Sequence, residues 1–155
     1  MDLHIKQISE VDVLKYAKEG DVAIDLRASG RWKVNLDTKP QEIDKEAYVL
    51  QPQERILILT GIAVQLPKGF WGNVRDRSSM ALKGLTTAGG VIDESYRGEI
   101  VVVINNLSAI PHTLTKNQRI AQMIIAPFVR ANINYVDTLD DTDRGDGGFG
   151  HTGMY

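Results

Sequence analysis

The chain has 155 residues, a formal net charge of −2 and no cysteine. This length fits one domain with a substantial core. The slight negative charge argues against a nucleic-acid or membrane-surface binder, because no basic excess is available to neutralise phosphates. There is no thiolate for a metal site or disulfide, no signal-like start, and no run near the roughly 18 apolar residues of a membrane span. We expect a soluble cytoplasmic protein, which leaves open a small anionic ligand held by a few local cations.

The first third of the chain predicts few regular elements. Short strands are expected at residues 3–8 and 22–28. Residues 9–18 are ambiguous, because a helix N-cap signal precedes apolar residues with helical spacing. Residues 31–53 are polar and poorly patterned, and we expect a long excursion with one short strand at 47–50.

From residue 55 the β-strand signal is dense. Strands are predicted at 55–66, after which Pro67-Lys68-Gly69 predicts a turn, and at 70–74, 113–116 and 118–127. Many short strands separated by turns favour an all-β barrel or jelly roll. The last twelve residues, RGDGGFGHTGMY, are too rich in glycine to join a core. We therefore expect a β-barrel over residues 1–143 and a flexible arm over residues 144–155.

The segment AGGVIDESYRGEI, residues 88–100, predicts a β-hairpin whose turn runs from Asp93 to Gly98. A carboxylate at the rim of an apolar hairpin, here Asp93, is suited to general base catalysis. The ring of Tyr96 is placed to pack against a flat or sugar-like ligand. On this segment alone, ordinary turn chemistry is the simpler interpretation.

Three further segments carry candidate chemistry. Asp25 is a carboxylate within an apolar strand, which in isolation indicates an outward-facing strand residue. Arg77, Ser78 and Ser79 combine a cation, two hydroxyls and free backbone N–H groups where a helix would begin, which suits phosphate oxygens, although either serine is also a plausible helix cap. Gln122 either donates to a ligand oxygen or bonds across the sheet, and the sheet role is favoured.

The tail has a composition that suits wrapping around a ligand. Glycines let backbone N–H groups converge on an anion, Arg144 adds charge, and Phe149 is able to stack on a base. A disordered end without function is an equally good interpretation of this segment alone.

Taken together and in this order, these five segments resemble the five motifs of the trimeric dUTPase family (deoxyuridine triphosphate nucleotidohydrolases). The likeness runs from about Val22 to Gly153 and is closest in RSSMALKGL, GGVIDESYRGEI, RIAQMI and RGDGGFGHTG. The resemblance implies a jelly-roll-like β-barrel that forms a homotrimer with shared active sites. One subunit would supply Asp25, the Arg77 segment and Gln122, a second the hairpin, and a third the tail.

The resemblance also implies individual roles, which begin with Asp93 as the base that activates water for attack on the α-phosphorus of dUTP, releasing dUMP and pyrophosphate. Tyr96 would pack on deoxyribose and exclude a ribose 2′-hydroxyl. Asp25 would bind, through water, the Mg²⁺ that the triphosphate chelates. The remaining substrate-binding residues implied are Arg77, Ser78 and Ser79 for the phosphates, Gly90, Val91 and Ile92 for uracil, Gln122 near the α-phosphate, and Arg144, Phe149, Gly150, His151 and Thr152 in the closing tail.

Departures from the family pattern are Ala23 in place of glycine, His151 in place of serine, and about fifteen extra residues near residues 31–53. The nearest rival is a dCTP deaminase or a bifunctional deaminase–dUTPase. That likeness predicts a catalytic glutamate in the strand after the hairpin, where this chain has Val103. The alternative from another class is a dUTPase-like trimer that binds nucleotide and regulates a partner.

Overall fold

The computed structural model describes residues 1–147 and is built almost entirely of β-strands. A single turn of helix, α1, covers Ser78–Ala81. The twelve strands are β1 His4–Gln7, β2 Ala23–Arg27, β3 Arg31–Val34, β4 Gln41–Asp44, β5 Ala47–Leu50, β6 Arg55–Gln65, β7 Phe70–Arg75, β8 Leu85–Ala88, β9 Val91–Ile92, β10 Glu99–Asn106, β11 His112–Thr115 and β12 Arg119–Pro127.

The strands form three antiparallel sheets. The largest has the order β4-β3-β6-β10-β8, with β1 added on β6. The second has the order β2-β12-β7-β9, and the third is the pair β11-β5. The predicted all-β, jelly-roll-like fold is confirmed, although the sheets of the described residues do not join into one closed barrel.

One hydrophobic core lies between these sheets. In β10 every second residue points inward, so that Ile100, Val102 and Ile104 are almost fully buried. This period of two is what a strand with one buried face requires. Strand β6 is buried along nearly its whole length, which fits its place near the middle of the large sheet.

The predicted strand at residues 47–50 is present as β5, but the expectation that residues 31–53 carry only one strand is wrong, because this region also contains β3 and β4. Strand β3 alternates between partly exposed Arg31 and Lys33 and buried Trp32 and Val34. Trp32 has no exposed surface, stacks on Tyr48 and donates from Nε1 to the Lys45 carbonyl at 2.9 Å. Trp32, Val34 and Leu50 therefore belong to the core, whereas β4 is mostly exposed.

The predicted hairpin over residues 88–100 is also wrong in its pairing. Strand β9 pairs with β7, whereas β10 pairs with β8 and β6 in the other sheet. The cause lies at Gly89 and Gly90, whose φ values of +75° and +101° turn the chain away from β8. A Cβ at Gly90 would lie 2.6 Å from the Val74 carbonyl oxygen, so the chain leaves one sheet at a point that only glycine fits.

Residues 9–18 contain no helix or strand, so the helix signal in this stretch is not realised. They lie over β6, where Ile8 and Ser9 donate their backbone N–H groups to the Gly61 carbonyl. Within residues 1–147, no helix is long and apolar enough to cross a membrane.

Candidate functional site

A cleft of about 300 Å³ collects several of the predicted phosphate-binding residues. Asp25 on β2, Arg77 and Ser78 at the start of α1, and Gln122 on β12 all line it. Antiparallel pairing brings them together, because Gln122 sits opposite Asp25 on one side and opposite Arg75 on the other. The sequence interpretation had grouped these residues, and the structure places them in one cleft.

Asp25 is held by two cations. Its Oδ1 accepts from Arg77 Nε at 2.6 Å and its Oδ2 accepts from Arg119 Nη1 at 3.1 Å. The Asp25 side chain is 19% exposed, so this pair of contacts is partly shielded from water. The arrangement holds Arg77 with its guanidinium at the cleft, where an arriving anion would compete with Asp25 for it.

The serines do not cap helix α1. The cap position is Arg77, whose backbone is extended with φ −79° and ψ 141°, and no side chain bonds back to the first turn. Ser78 and Ser79 are both exposed. Neither hydroxyl is used in capping: Ser78 lines the cleft, and Ser79 Oγ accepts from Arg77 Nη1 at 3.5 Å.

Gln122 makes the cross-sheet contact that the sequence favoured. Its Nε2 donates to the backbone carbonyl of Asp76 at 2.8 Å, while the side chain still lines the cleft. This contact fixes the end of β7 just before Arg77.

The Asp76 carboxylate also helps to fix the end of β7 just before Arg77. It accepts from the Thr87 N–H at 2.5 Å, the Thr87 hydroxyl at 2.7 Å and the Thr86 hydroxyl at 3.0 Å. Burial alone would raise its pKa, but these hydrogen bonds and the charge of Arg75 outweigh burial, so the pKa lies below its ordinary value. Asp76 and its threonines, here called the Asp76 clamp, tie β7 to β8.

Asp93 lies in a different place. It follows β9 in an exposed position, and its carbonyl accepts from the Tyr96 N–H at 3.0 Å, closing a turn. The adjacent depression, about 330 Å³, is mostly apolar and also includes Trp71 and Phe128. Its neighbour Glu94 accepts from the Gly69 N–H at 2.7 Å, which anchors the turn to the residue just before β7.

The other predicted nucleoside contacts surround this turn. Tyr96 is 42% exposed, and its hydroxyl donates to the Glu99 carbonyl at 2.9 Å. Val91 is 67% exposed, whereas Ile92 is buried in the core. The Gly90 carbonyl is already used, since it accepts from the Val74 N–H at 2.8 Å.

The two groups of residues are separated within one chain. Ile92 pairs with Gly72 near the start of β7, whereas Arg77 follows the end of that strand. At about 3.3 Å per residue, the chain from Trp71 to Arg77 spans roughly 20 Å. Asp93 therefore does not line the cleft of Asp25 and Arg77, and a single chain does not bring the predicted base to the predicted phosphate site.

The predicted tail residues are described only in part. Arg144 is exposed, and its Nε donates to the Gly147 carbonyl at 3.0 Å. Phe149, Gly150, His151 and Thr152 lie outside the described residues.

Comparison with known proteins identifies the family. The dUTPase family model matches residues 43–153. A deoxyuridine 5′-triphosphate nucleotidohydrolase of Clostridium kluyveri is 41% identical over 99% of both chains. The chain belongs to the dUTPase family. A relative of the same name from a Hydrogenobaculum species is 46% identical over 70% of this chain and 78% of its own.

Solved dUTPase structures share the fold. A mutant dUTPase of Staphylococcus bacteriophage 80alpha, with dUpNHpp, superposes with a TM-score of 0.78 at 23% identity over 99% of both chains. A mutant dUTPase of S. aureus phage phi11, described with a coordinated structural Mg(II) ion, gives a TM-score of 0.73 at 22% identity over 89% of this chain and 98% of that one.

Two residues of the site were missed by sequence reasoning. Arg119 holds Asp25, and Asp76 carries the clamp next to Arg77. Arg119 is the first residue of the motif RIAQMI, and Asp76 directly precedes the motif RSSMALKGL. A charged residue beside a motif is usually a solvated surface group. Only the strand pairing in the structure shows that Arg119 and Asp76 belong to the site.

Proposed function

We propose that the protein hydrolyses dUTP to dUMP and pyrophosphate, as the names of its relatives indicate for those proteins. The observation that carries this proposal is the family membership together with the cleft, which is lined by two arginines, the exposed Ser78 and two carboxylates. Arg77, Ser78 and Ser79 would bind the phosphates, with Gln122 beside them. Arg144, Phe149, Gly150, His151 and Thr152 would close over the bound nucleotide.

The proposed reaction step is attack of water on the α-phosphorus. Asp93 would accept a proton from this water, and the exposed position of its carboxylate leaves room for the water. Tyr96 would pack on the deoxyribose, and the backbone of Gly90, Val91 and Ile92 would contact uracil. The bond to the bridging oxygen then breaks, and pyrophosphate leaves with the displaced electron pair.

The cleft suits a magnesium ion that arrives with the triphosphate. Residues 1–147 contain no cluster of three or more His, Cys, Asp or Glu that would hold a metal alone. Two carboxylates, Asp21 and Asp25, line the cleft, which matches the habit of Mg²⁺ of using one or two carboxylates together with phosphates and water. Asp25 would hold the metal through water, and the metal would neutralise developing charge on the phosphates.

We propose that the working form is a homotrimer. The roughly 20 Å of chain along β7 between the position of Asp93 and Arg77 supports an arrangement in which the base and the phosphate cleft of one site come from different chains. A closed ring of identical subunits satisfies this need, because each interface repeats the same contact.

Pyrophosphate release tests the proposed activity. The purified protein with Mg²⁺ is assayed separately with dUTP, dCTP, UTP and dTTP. We expect kcat/KM for dUTP to exceed that for each of the others by at least about 100-fold, since base and sugar contacts discriminate at this level. Comparable turnover of dCTP would reject the base specificity, and no turnover of any nucleotide would favour a binding protein.

A further inference from the structure

The carboxylate of Glu99 is an unusual feature at the end of the turn that carries Asp93 and Tyr96. Glu99 opens β10, and its side chain is only 15% exposed. Its Oε1 accepts from Arg31 Nη2 at 2.5 Å and from the Gly61 N–H at 2.7 Å, and its Oε2 accepts from Arg31 Nη2 at 2.6 Å. One side chain thus joins β10, β6 and β3.

The Gly61 N–H is available because β6 carries a bulge there. The β6–β10 register shifts between Glu99 opposite Ala63 and Val101 opposite Leu59. Gly61 has φ +74°, and a Cβ at this position would lie 2.4 Å from Ser9 Oγ. A bulge frees a backbone N–H from the strand pairing, and Glu99 supplies the acceptor that it needs.

Arg31, which contacts Glu99, is held in place by the pairing and packing of β3. It opens β3, pairs with Asp44 on β4, and precedes fully buried Trp32. Its side chain is 25% exposed and also contacts Glu42 through Nη1 at 3.5 Å. A partly buried ion pair with this support loses little entropy in holding its geometry, unlike an exposed pair.

The same residue fixes the ring of Tyr96. The Tyr96 hydroxyl donates to the Glu99 carbonyl, and the ring lies over Gly98 so closely that a Cβ there would be 2.4 Å from the hydroxyl oxygen. The ring position is therefore set by the backbone at Gly98 and Glu99. That backbone is set in turn by the contacts of the Glu99 carboxylate with Arg31 and Gly61.

We propose that Arg31 and Glu99 are positioning residues for Tyr96 and determine how strongly the enzyme rejects ribonucleotides. This inference rests on the proposed function, in which Tyr96 packs on deoxyribose. Steric exclusion of the ribose 2′-hydroxyl requires a Tyr96 ring that is held in place, because a ring that can shift would leave room for this hydroxyl. Loss of the Arg31–Glu99 ion pair lowers the selectivity for deoxyribose over ribose more than it lowers the rate of dUTP hydrolysis.

The test compares kcat/KM for dUTP and UTP in Arg31→Met and Glu99→Gln. Glu99→Gln keeps one acceptor oxygen for the Gly61 N–H, removes the charge, and replaces the second acceptor for Arg31 with an NH2 group. The matched control is Arg55→Met, which removes another arginine–carboxylate contact, Arg55 with Asp37, at the opposite end of the β6–β10 pairing, where the two side chains are 46% and 85% exposed. The ratio of the two kcat/KM values does not depend on the folded fraction, so a variant with reduced stability remains informative.

We expect the dUTP-to-UTP ratio to fall by about tenfold in both test variants and to stay within about twofold of wild type in Arg55→Met. Arg31→Lys, which keeps a charge at this position, should recover part of the ratio. An unchanged ratio in Arg31→Met and Glu99→Gln would overturn the inference while leaving the proposed function intact. Absence of dUTP hydrolysis by the wild-type protein would instead reject the proposed function.

Discussion

At the scale of single residues, Asp93 is the position whose role is most sharply testable. Asp93 is exposed; within residues 1–147 its carboxylate makes no hydrogen bond, and its backbone carbonyl accepts from the Tyr96 N–H in the turn. A side chain free of structural contacts can be replaced without disturbing the fold. It follows that a loss of activity on substitution reports chemistry rather than folding.

We expect Asp93→Asn to lower kcat for dUTP by about 10²- to 10⁴-fold, because an amide does not accept the proton from water. Affinity for dUpNHpp, measured by calorimetry, should change by less than about threefold. The matched control is Glu94→Gln, where the amide oxygen still accepts from the Gly69 N–H. Parallel loss of affinity and turnover in Asp93→Asn would mean that Asp93 is structural.

The residue types of the site were predictable from the sequence, but their contacts were not. The motifs identified Asp25, Arg77 and Gln122 as neighbours, and the cleft contains all three. Nothing in the sequence says that Gln122 donates to the Asp76 carbonyl, or that Arg119 shares Asp25 with Arg77. Those contacts depend on the register of β12 between β2 and β7, and a shift of one residue would turn every side chain to the other face.

At the scale of elements, the Asp76 clamp connects the end of β7, which precedes Arg77, to β8. Three hydrogen bonds from Thr86 and Thr87 stabilise the charged carboxylate, and the pKa of Asp76 lies below its ordinary value of 3.8. A carboxyl with a lowered pKa in the folded state adds stability above its unfolded pKa. That stability is lost as the pH falls through the folded pKa.

Acid unfolding tests the clamp. We expect the melting temperature of the wild-type protein to fall below about pH 4 more steeply than that of Asp76→Asn, which has no charge to lose. Thr86→Val removes one donor and brings the folded pKa of Asp76 closer to its unfolded value, so the total fall of its melting temperature below about pH 4 should be smaller than in wild type. Identical acid profiles for wild type and Asp76→Asn would show that the clamp adds no stability.

On β5, we expect Tyr48 to contribute stability that is lost at alkaline pH rather than at acid pH. Burial, the hydrogen bond to Glu54 and the Glu54 charge raise the pKa of Tyr48 to about 12. A tyrosine with a raised folded pKa stabilises the fold below its unfolded pKa of about 10, and this contribution is lost as the pH rises toward 12. Tyr48→Phe should remove this component, so that its melting temperature declines less between about pH 10 and 12. Equal alkaline slopes would contradict the assignment.

The elements that sequence reasoning missed were those whose pairing is decided by distant residues. RWKV alternates with period two, but four residues among prolines and charges do not reveal that β3 will pair with β6 and bury Trp32 in the core. The apparent hairpin failed for a related reason. Val91 and Ile92 are apolar and follow β8, yet Gly89 and Gly90 send them to β7 in the other sheet.

At the scale of the whole molecule, the distance between Asp93 and the phosphate cleft predicts that each active site combines parts of different chains. Arg77→Ala and Asp93→Asn should each be inactive as homogeneous proteins, because each damages every site. If a site takes its cleft from one chain and its base from another, mixed trimers contain sites in which both parts are intact. Random assembly from equal amounts makes about one site in four complete.

Co-expression of Arg77→Ala with Asp93→Asn, followed by a pyrophosphate-release assay, measures this recovery. We expect about a quarter of the wild-type kcat per subunit, since chains exchange partners without regard to these substitutions. The matched control pairs Arg77→Ala with Asp25→Asn, whose altered residues both line the same cleft, so no mixed trimer has an intact cleft. No recovery in the first mixture would place Asp93 and Arg77 of one chain in the same site, and recovery in the second would mean that the cleft itself is divided between chains.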